Sequence, residues 1–512
     1  MLRKLPLISI FILIFIILVL SVSAIPGNGS FADINKGKQI LGSPFETSLS
    51  RSRFALVKSI VDDNTVIVDK YAETTFPDII YASGHYYSVF DPGPVLFALP
   101  FYDIGKQINL GVFFVGLLNP IAILALAFTE YLLLKKLNFN STISCLTTFL
   151  VVFATGIYTY STSFNAHPLS ALSISIAVFA ACLVLKDKNL KIGYPLIWFS
   201  LGLGIIMDYP NLVSIIPFII LIFITSSKIV KKNDNKFLRL NFFFLFSSIA
   251  SLLFLVPLSL YTNRLFGSYL TTIEPHQIQG YMENGKKVLS LSSDLKFYLT
   301  HQIVYKDLSI SPSYTLSGLF TLLFSLPRGI FLFSPICILA ILGIKSFLRE
   351  FKPIALACIF AIILTLLLYS SYIDYPGGWT YGPRYLIGIM PLVGVFLAYS
   401  LKTYFAKKLY LLIFSILSIL SISISTLGAL TSRIASGSPL EGAGWGWSSS
   451  FVKNIPLVGN EPYVSFAYDQ YLSSFISKSQ FFYIMLVLII LIFLILTTNS
   501  YRENRRYYEK LN

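Results

Sequence analysis

About twelve apolar runs, each close to twenty residues long, alternate with short polar connections along the sequence. A hydrocarbon core of about 30 Å requires a helix of this length with few charges. Charged residues make up only 12% of the 512 residues, whereas a soluble domain carries roughly a quarter. The pattern predicts an all-α polytopic membrane protein. The predicted spans are 5–24, 108–134, 142–161, 168–185, 193–208, 211–227, 241–261, 317–344, 354–372, 386–401, 409–430 and 481–498.

Basic residues concentrate in every second connection, which is typical of cytoplasmic loops. If the N-terminus is inside, all of these connections fall on the inner side. We therefore expect a multi-pass protein of the cell membrane with cytoplasmic N- and C-termini and a retained first span; the alternative for that span is a cleaved signal peptide. The basic connections contain Lys135–Lys136, Lys186 to Lys191, Lys228 to Arg239, Lys345 to Lys352, Lys402 to Lys408, and the tail from Arg502 to Lys510.

The same distribution bears on possible partners. A net charge of +15 is compatible with nucleic-acid binding, but short basic segments between apolar spans do not form a basic groove. We expect membrane lipids and no nucleic acid as partners. The four cysteines lie in apolar runs without paired spacing, so neither a disulfide framework nor a zinc site is expected.

Three outer connections are long, and they divide the chain into seven predicted segments. The segments are a first span (1–24), an outer loop with candidate catalytic acids (25–107), a membrane core (108–261), a second outer loop (262–316), a further membrane core (317–430), a third outer loop (431–480), and the last span with its basic tail (481–512). In the third outer loop, the run 442–447 contains two tryptophans. We expect it to anchor the chain at the interface, with a sugar-binding platform as the alternative.

The first outer loop carries the richest set of acids, interleaved with tyrosines and Gly-Pro turns. A carboxylate near a membrane surface can act as a general base, and it can also ligate a divalent metal, which the sequence leaves open. The alternative is that these acids only solvate an exposed loop. The acids are Asp62, Asp63, Asp69, Glu73, Asp78 and Asp91. His85 and Tyr87 lie with Asp91 in the run Tyr81 to Tyr102.

Two arginines lie on the predicted outer side, although most basic residues lie in the inner connections. This exception favours a specific function for both arginines. Arg328 follows Pro327 and lies either inside the eighth span or at its outer mouth. Arg384 opens the tenth span, shortly after Trp379. A guanidinium group suits phosphate because its fork donates two hydrogen bonds at once. The alternative is snorkelling towards anionic lipid.

Two motifs give the chain a resemblance to a known class. Gly84-His85-Tyr86-Tyr87-Ser88 is followed by Pro92-Gly93, and Gly378-Trp379 is followed by Gly382-Pro383-Arg384-Tyr385. With these motifs and its span layout, the chain resembles multispanning glycosyltransferases of the GT-C class. It looks most like the protein-mannosyltransferase and aminoarabinose-transferase branch.

The resemblance implies an activity and a set of site residues. It implies inverting transfer of a sugar from a polyprenyl- or dolichyl-phosphate carrier to a protein, lipid or glycan acceptor on the outer face. An acid of the first outer loop is then the base, with Asp62, Asp63, Asp69 and Asp78 as candidates. Arg328 and Arg384 are expected to hold the phosphate, and the remaining substrate-binding candidates are His85, Tyr87, Asp91 and Trp379.

The chain departs from the family pattern at two places. The family often has an Asp-Glu pair before an aromatic residue soon after the first span, but here Arg53 precedes Phe54. A lysine commonly precedes the Pro-Gly turn, but here Asp91 does. The alternative functions are a transporter or flippase of a polar lipid or lipid-linked sugar, a polysaccharide ligase, and a non-catalytic scaffold. A transporter is expected to show internal symmetry and mid-span charges, which are scarce here.

Overall fold

The structure is a computed structural model. It describes residues 7–232, 235–239, 241–283, 285–288, 302–307, 309–434, 450–459 and 465–509. The tryptophan-containing run 442–447 lies outside these residues.

Apolar helices form the body of the molecule. Within the described residues, eight helices are long and apolar enough to cross a membrane, and three shorter apolar helices accompany them. The prediction of an all-α polytopic membrane protein is confirmed. The eight helices are Gly111–Lys136, His167–Leu185, Leu190–Met207, Phe242–Phe266, Lys352–Ser370, Arg384–Tyr404, Lys408–Ala429 and Lys478–Asn504, and the shorter three are Ile8–Leu20, Ser141–Phe153 and Asn211–Ser226.

The elements follow in chain order. The helices are α1 (Leu7–Leu20), α2 (Phe31–Gly37), α3 (Ser48–Asp63), α4 (Ala72–Thr75), α5 (Gly93–Gln107), α6 (Gly111–Gly116), α7 (Leu118–Lys136), α8 (Ser141–Phe153), α9 (Gly156–Ser161), α10 (His167–Leu185), α11 (Leu190–Met207), α12 (Asn211–Ser226), α13 (Phe242–Phe246), α14 (Ile249–Phe266), α15 (Pro312–Phe324), α16 (Ile330–Phe333), α17 (Cys337–Glu350), α18 (Lys352–Ser370), α19 (Met390–Tyr404), α20 (Lys408–Ala429), α21 (Ser450–Asn454) and α22 (Lys478–Glu509). The strands are β1 (Ile79–Ala82), β2 (His85–Ser88), β3 (Lys228–Lys232), β4 (Asn235–Arg239), β5 (Ile278–Glu283), β6 (Lys286–Val288) and β7 (Ile303–Tyr305).

The eighth predicted span, 317–344, is two helices instead of one. Helix α15 ends at Phe324 and α17 begins at Cys337, with the one-turn helix α16 between them. Pro327 explains the break, because proline has no N–H to donate within a helix and disfavours helical backbone at the residue before it. Arg328 lies in this break, outside both long helices.

The two ends of the helix bundle differ in chemistry. At one end, short ion pairs join the basic connections: Lys136 Nζ lies 2.5 Å from an Asp187 oxygen, and Lys402 Nζ lies 2.7 Å from a Glu350 oxygen. The Thr142 hydroxyl also donates to Glu503 near the end of α22 at this end. We call this the basic end. Connections predicted to share one side of the membrane therefore meet in space, and their orientation towards the cytoplasm stays a prediction.

The segment predicted as the first outer loop is largely folded. Helix α3 begins where the Thr47 hydroxyl accepts a hydrogen bond from the Ser50 N–H, a side-chain cap of the helix. Phe45 and Phe54 pack with ring centroids 5.0 Å apart in a buried cluster that includes Tyr102 of α5. The segment thus packs into one apolar cluster with the adjoining ends of membrane helices, at the end of the bundle opposite to the basic end.

The second outer connection packs on the first. Strands β6, β5 and β7 form a three-stranded antiparallel sheet. Gln277, just before β5, forms a β-bridge with Ile80 of β1. This contact brings residues separated by almost 200 positions to the same place, and it forms one wall of the site described next.

Candidate active site

The hairpin of β1 and β2 positions two acids of the first outer loop. Its two-residue turn has φ of +50° at Ser83 and +84° at Gly84, the left-handed backbone that tight hairpins require. Ile79 is paired with Ser88, so the outer ends of the strands are adjacent. Asp78 immediately precedes β1 and Asp91 follows β2 by three residues. The fold therefore brings both acids to the same edge, although thirteen positions separate them.

Both acids open into a cleft at this end of the bundle, and the cleft has two connected lobes. The first, which we call the carboxylate lobe, has a volume of about 160 Å³. The second, which we call the tryptophan lobe, has a volume of about 450 Å³. The two lobes share the lining residues Leu49, Asp78, Gln277, Lys306 and Arg384.

Four acids and four cationic or imidazole groups line the carboxylate lobe. They come from distant parts of the chain. The regions are the first outer loop with its helix α3, the α9–α10 and α11–α12 connections, the second outer loop and the start of the tenth span. The acids are Asp78, Asp91, Asp208 and Glu274, and the others are Arg53, His167, Lys306 and Arg384.

Three of these acids hold protons more tightly than usual. Burial raises the pKa of Asp91 well above its ordinary range, and the charges of Glu274 and Asp208 raise it further. Burial and the Glu274 carboxylate raise the pKa of Asp208 to about 7. Burial likewise raises the pKa of Glu274, against the opposing charges of Lys306 and Arg384. The backbone N–H of Tyr209 donates to Asp91 at 3.1 Å and joins the first loop to the α11–α12 connection. A carboxyl group with a pKa of about 7, such as that of Asp208, suits acid–base chemistry near neutral pH.

The two arginines of the carboxylate lobe have unused hydrogen-bond donors. Arg53 is 5% exposed and lies over the Phe90 ring, 4.2 Å from its centroid. Burial lowers the pKa of Arg53 to about 10, so it stays charged at neutral pH. Among the described residues, Nε and Nη1 of Arg53, Nε of Arg384 and Nε2 of His167 are buried without a hydrogen-bond partner. Buried guanidinium donors without partners fit an anion such as phosphate.

Asp78 is held at the junction of the two lobes. The Ser48 hydroxyl donates to one carboxylate oxygen at 2.6 Å, and the Gln277 side-chain amide donates to the other at 3.0 Å. These contacts fix the Asp78 carboxylate between the carboxylate lobe and the tryptophan lobe. Of the four acids expected to supply the base, Asp78 alone lines the cleft.

The tryptophan lobe is larger than the carboxylate lobe and is lined by both polar and apolar groups. The Trp379 side chain is 55% exposed along its wall. Lys306 forms an ion pair with Asp374 at 3.3 Å across this lobe. Arg433 and Glu46 form a buried ion pair at 2.8 Å and also line this lobe.

The other candidate bases lie away from the cleft. Burial opposes ionisation of Asp62, but hydrogen bonds from Lys106 and Lys58 outweigh it and lower the pKa. Those lysines lie 2.7 and 2.8 Å from the Asp62 oxygens. Asp63 is exposed, and its nearest cation is Lys70 at 3.9 Å. These contacts tie α3 to its surroundings.

The third acid outside the cleft belongs to the surface of the hairpin. Asp69 lies 2.7 Å from Nδ1 of His85 and also accepts the backbone N–H of Tyr86 at 2.7 Å. Tyr87 is buried in the hairpin at 3% exposure. Asp69, His85 and Tyr87 are not among the residues lining either lobe.

Arg328 is next to the cleft but does not line it. Its Nε donates to the Pro376 carbonyl, its Nη2 to the Gly378 carbonyl and its Nη1 to the Pro327 carbonyl, at 2.7 to 2.8 Å. The guanidinium thus holds the backbone immediately before Trp379. The structure brings Asp78, Asp91, Trp379 and Arg384 together, and Arg328 supports that arrangement from behind.

Sequence reasoning did not assign a role to several residues of the carboxylate lobe. Arg53, Asp208, Glu274 and His167 come from four separate segments and share no local motif. For His167 and Asp208, one feature of the sequence could have indicated a role. They lie in the short outer connections Asn165 to His167 and Asp208 to Pro210, where ionisable groups are directly beside apolar spans.

The described side chains also bear on a metal. Among them, no group of three or more His, Cys, Asp or Glu residues is arranged to hold a metal ion. The acids of the carboxylate lobe are instead interleaved with cations.

Comparisons with known proteins give the fold. No family model matches the sequence, and no curated protein matches it. Among solved structures, ArnT from Cupriavidus metallidurans bound to undecaprenyl phosphate is similar over 97% of this chain and 74% of its own, with 12% identity and a TM-score of 0.51. The same protein without ligand gives 11% identity, the same coverage and 0.49. The oligosaccharyltransferase AglB from Archaeoglobus fulgidus, in complex with an inhibitory peptide and a dolichol-phosphate, gives 12% identity over 86% of this chain and 56% of its own, and 0.42.

The similarity to ArnT defines the class of fold. ArnT is a glycosyltransferase of the GT-C class, so the predicted resemblance to that class is confirmed at the level of the fold. At this identity the similarity shows the fold alone. Activity has to be argued from the site, because a fold does not determine a function.

Proposed function

We propose that the protein is a membrane glycosyltransferase. It moves a sugar from a polyprenyl- or dolichyl-phosphate carrier to an acceptor on the outer face of the membrane, with an aspartate base and inversion at the anomeric carbon. The observation that carries the proposal is the position of Asp78 and Arg384, which line both lobes of one cleft at the end of a GT-C-like bundle.

Arg384 and Arg53 bind the phosphate of the carrier in the carboxylate lobe. Their unpartnered N–H groups supply the directed donors that a phosphate dianion or diester needs. This replaces the expected pair of Arg328 and Arg384, since Arg328 already donates to three carbonyls.

Asp78 acts as the base at the boundary between donor and acceptor. The acceptor hydroxyl or amine enters through the tryptophan lobe and gives its proton to Asp78 as it attacks the anomeric carbon. The bond between that carbon and the phosphate oxygen breaks on the opposite face, and the carrier phosphate leaves with the bonding electrons. Arg53 and Arg384 stabilise the charge that develops on it, and attack opposite to departure inverts the anomeric centre.

The remaining acids of the carboxylate lobe bind the sugar. Asp91, Asp208 and Glu274 present carboxyl groups with raised pKa, which can donate as well as accept hydrogen bonds to sugar hydroxyls. Trp379 offers an exposed apolar face to the acceptor.

The test uses the purified full-length protein in lipid nanodiscs with a panel of sugars on polyprenyl phosphate. We expect the release of polyprenyl phosphate together with a glycosylated acceptor, and we expect the product linkage to have the opposite anomeric configuration. If the protein instead moves intact lipid-linked sugar across proteoliposomes without cleaving it, the transporter is the correct function. Absence of both cleavage and transport for the whole panel rejects the enzyme and the transporter alike.

A further inference from the structure

A second cavity lies at the basic end of the bundle, far from the cleft. It has a volume of about 870 Å³ and opens between the ends of α10, α11, α12 and α18. Three lysines line it: Lys186, Lys188 and Lys352. The proposed transferase reaction uses none of these residues.

The cavity carries an excess of positive charge. Its one lining acid, Glu350, is already paired with Lys402 at 2.7 Å. The neighbouring Asp187 is paired with Lys136 at 2.5 Å. Among the described residues, neither Lys188 nor Lys352 has a carboxylate within ion-pair distance, and both are exposed. Two cationic side chains are therefore available to an anion.

Lys186 is fixed rather than free, and it shapes the cavity. Its ammonium donates to the Lys136 carbonyl and to the Asn138 side chain, and it lies 5.0 Å from the centroid of the Phe351 ring. It therefore holds a positive charge in place beside Lys188 and Lys352.

The rest of the lining combines hydroxyl groups with an apolar wall. The Tyr194 hydroxyl donates to the Ser226 hydroxyl at 2.6 Å, and the Asn241 amide donates to the Tyr194 hydroxyl at 3.2 Å. Val184, Leu190 and Ile354 form the apolar wall. Next to the lining residues, Ile224 is 64% exposed and Phe242 is 78% exposed. The site thus combines cationic and hydrogen-bonding groups with exposed apolar side chains of α12 and α13.

The sequence of the segment that joins α12 to α13 is also basic. It runs from Ser226 to Asn241, two residues that line the cavity. Between positions 228 and 239 the sequence has five basic residues and one acid. Basic segments beside membrane helices attract anionic lipid.

We propose that this cavity binds the anionic headgroup of a membrane phospholipid, with the phosphodiester between Lys188, Lys352 and Lys186 and the acyl chains against the apolar wall. A membrane lipid fits better than a soluble anion, because the cationic groups continue directly into a surface that needs hydrocarbon. Charge and apolar surface together, instead of charge alone, define the occupant.

The experiment measures the Tm of the full-length protein in neutral detergent during titration with short-chain phosphatidylglycerol, and it does not depend on the transferase activity. We expect Tm to rise with phosphatidylglycerol and not with phosphatidylcholine of equal chain length, because a ligand of the native state stabilises it. In the double variant Lys188→Gln, Lys352→Gln, the half-saturating concentration should rise about tenfold or more. The double variant Lys188→Arg, Lys352→Arg should keep the response.

Lys345→Gln is the matched control, since Lys345 is an exposed lysine of α17 at the same end that does not line the cavity. An equal loss of response in Lys345→Gln overturns the site, because nonspecific surface charge then explains the effect. Equal responses to the two lipids also overturn it, and a full response to inorganic phosphate alone overturns the lipid assignment. If the glutamine variant does not fold, the arginine variant and the two-lipid comparison in the wild type still decide the proposal.

Discussion

The side-chain amide of Gln277 donates a hydrogen bond of 3.0 Å to the carboxylate of Asp78. Gln277 also donates to the Pro77 carbonyl at 3.0 Å, so one amide holds both the acid and the backbone that carries it. The two residues are 199 positions apart. The candidate base is therefore oriented by the second outer connection, and its position depends on the assembly of both outer segments.

Exchange of the candidate base should abolish most of the activity. Asp78→Asn keeps the size of the side chain but removes the carboxylate that accepts the proton, and we expect kcat to fall by about 10²-fold or more. Release of polyprenyl phosphate from the sugar donor measures it. Asp63→Asn is the control, because Asp63 is an exposed acid of the same segment outside the cleft. Similar rates for both variants and the wild type would remove Asp78 from the mechanism.

Substitution of Arg384 should weaken binding of the transition state even when the new side chain keeps the positive charge. In Arg384→Lys an ammonium replaces the planar fork, and we expect kcat/KM for the donor to fall by about 10- to 100-fold. Steady-state kinetics with a varied concentration of donor measure it. Arg349→Lys, an exposed arginine at the basic end, should leave kcat/KM unchanged. A normal kcat/KM in Arg384→Lys would contradict the role in phosphate binding.

The raised pKa of Asp208 predicts a pH-dependent stability. The folded protein holds this proton up to about pH 7, whereas an exposed aspartate loses it near 3.8. Between these values the folded state binds more protons than the unfolded state, so this group's contribution is complete below about 3.8 and is lost as the pH rises through about 7. Asp208→Asn should remove that loss and flatten the dependence of Tm on pH across this window.

Thermal unfolding of the two proteins in detergent at a series of pH values tests this prediction. Asp63→Asn should follow the wild-type curve, since that acid is exposed. A wild-type Tm that rises steadily from acid to neutral pH, with no change in Asp208→Asn, would show that Asp208 ionises as an ordinary surface acid.

Arg328 should act on stability and on the tryptophan lobe more than on the donor. Lysine cannot donate to three carbonyls from one planar group, so Arg328→Lys leaves buried carbonyls without partners and should cost about 3 kcal/mol. The Tm should fall, and KM for the acceptor should rise more than KM for the donor. Arg264→Lys, an exposed arginine at the end of α14, is the control. A donor KM that rises more than the acceptor KM would instead support a direct phosphate contact.

The membrane helices could be predicted from the sequence because burial in lipid imposes length and apolarity on each one separately. The predicted span 168–185 is the helix His167–Leu185, and 409–430 is Lys408–Ala429. The prediction was weaker where the chain is amphipathic. Helix α3 carries five charged side chains, and the fold buries three of them, Arg51, Arg53 and Lys58. A search for apolar runs cannot detect a helix that buries charged side chains.

The candidate site was predicted in part. Arg384 belongs to a local motif, Asp91 immediately precedes a Pro-Gly turn, and Asp78 is one of the acids of the first outer loop, so each can be noticed alone. Asp62 and Asp78 look alike in the sequence, and what separates them is that Lys58 and Lys106 neutralise the first. Arg53 and Glu274 depend on the packing of α3 and the second outer connection, which no short motif encodes.

The shared wall of the two lobes limits how specificity can change. Asp78, Gln277, Lys306 and Arg384 line both lobes. Under the proposed function, a substitution at any of them should therefore affect the binding of the donor and of the acceptor together. Only a substitution at a residue that lines one lobe can change the specificity for the donor or for the acceptor alone. Trp379 and Asp374 are such positions on one side, and Asp91 and His167 on the other. Related proteins of different specificity should therefore differ at residues that line one lobe, such as these four, and agree at the residues that line both.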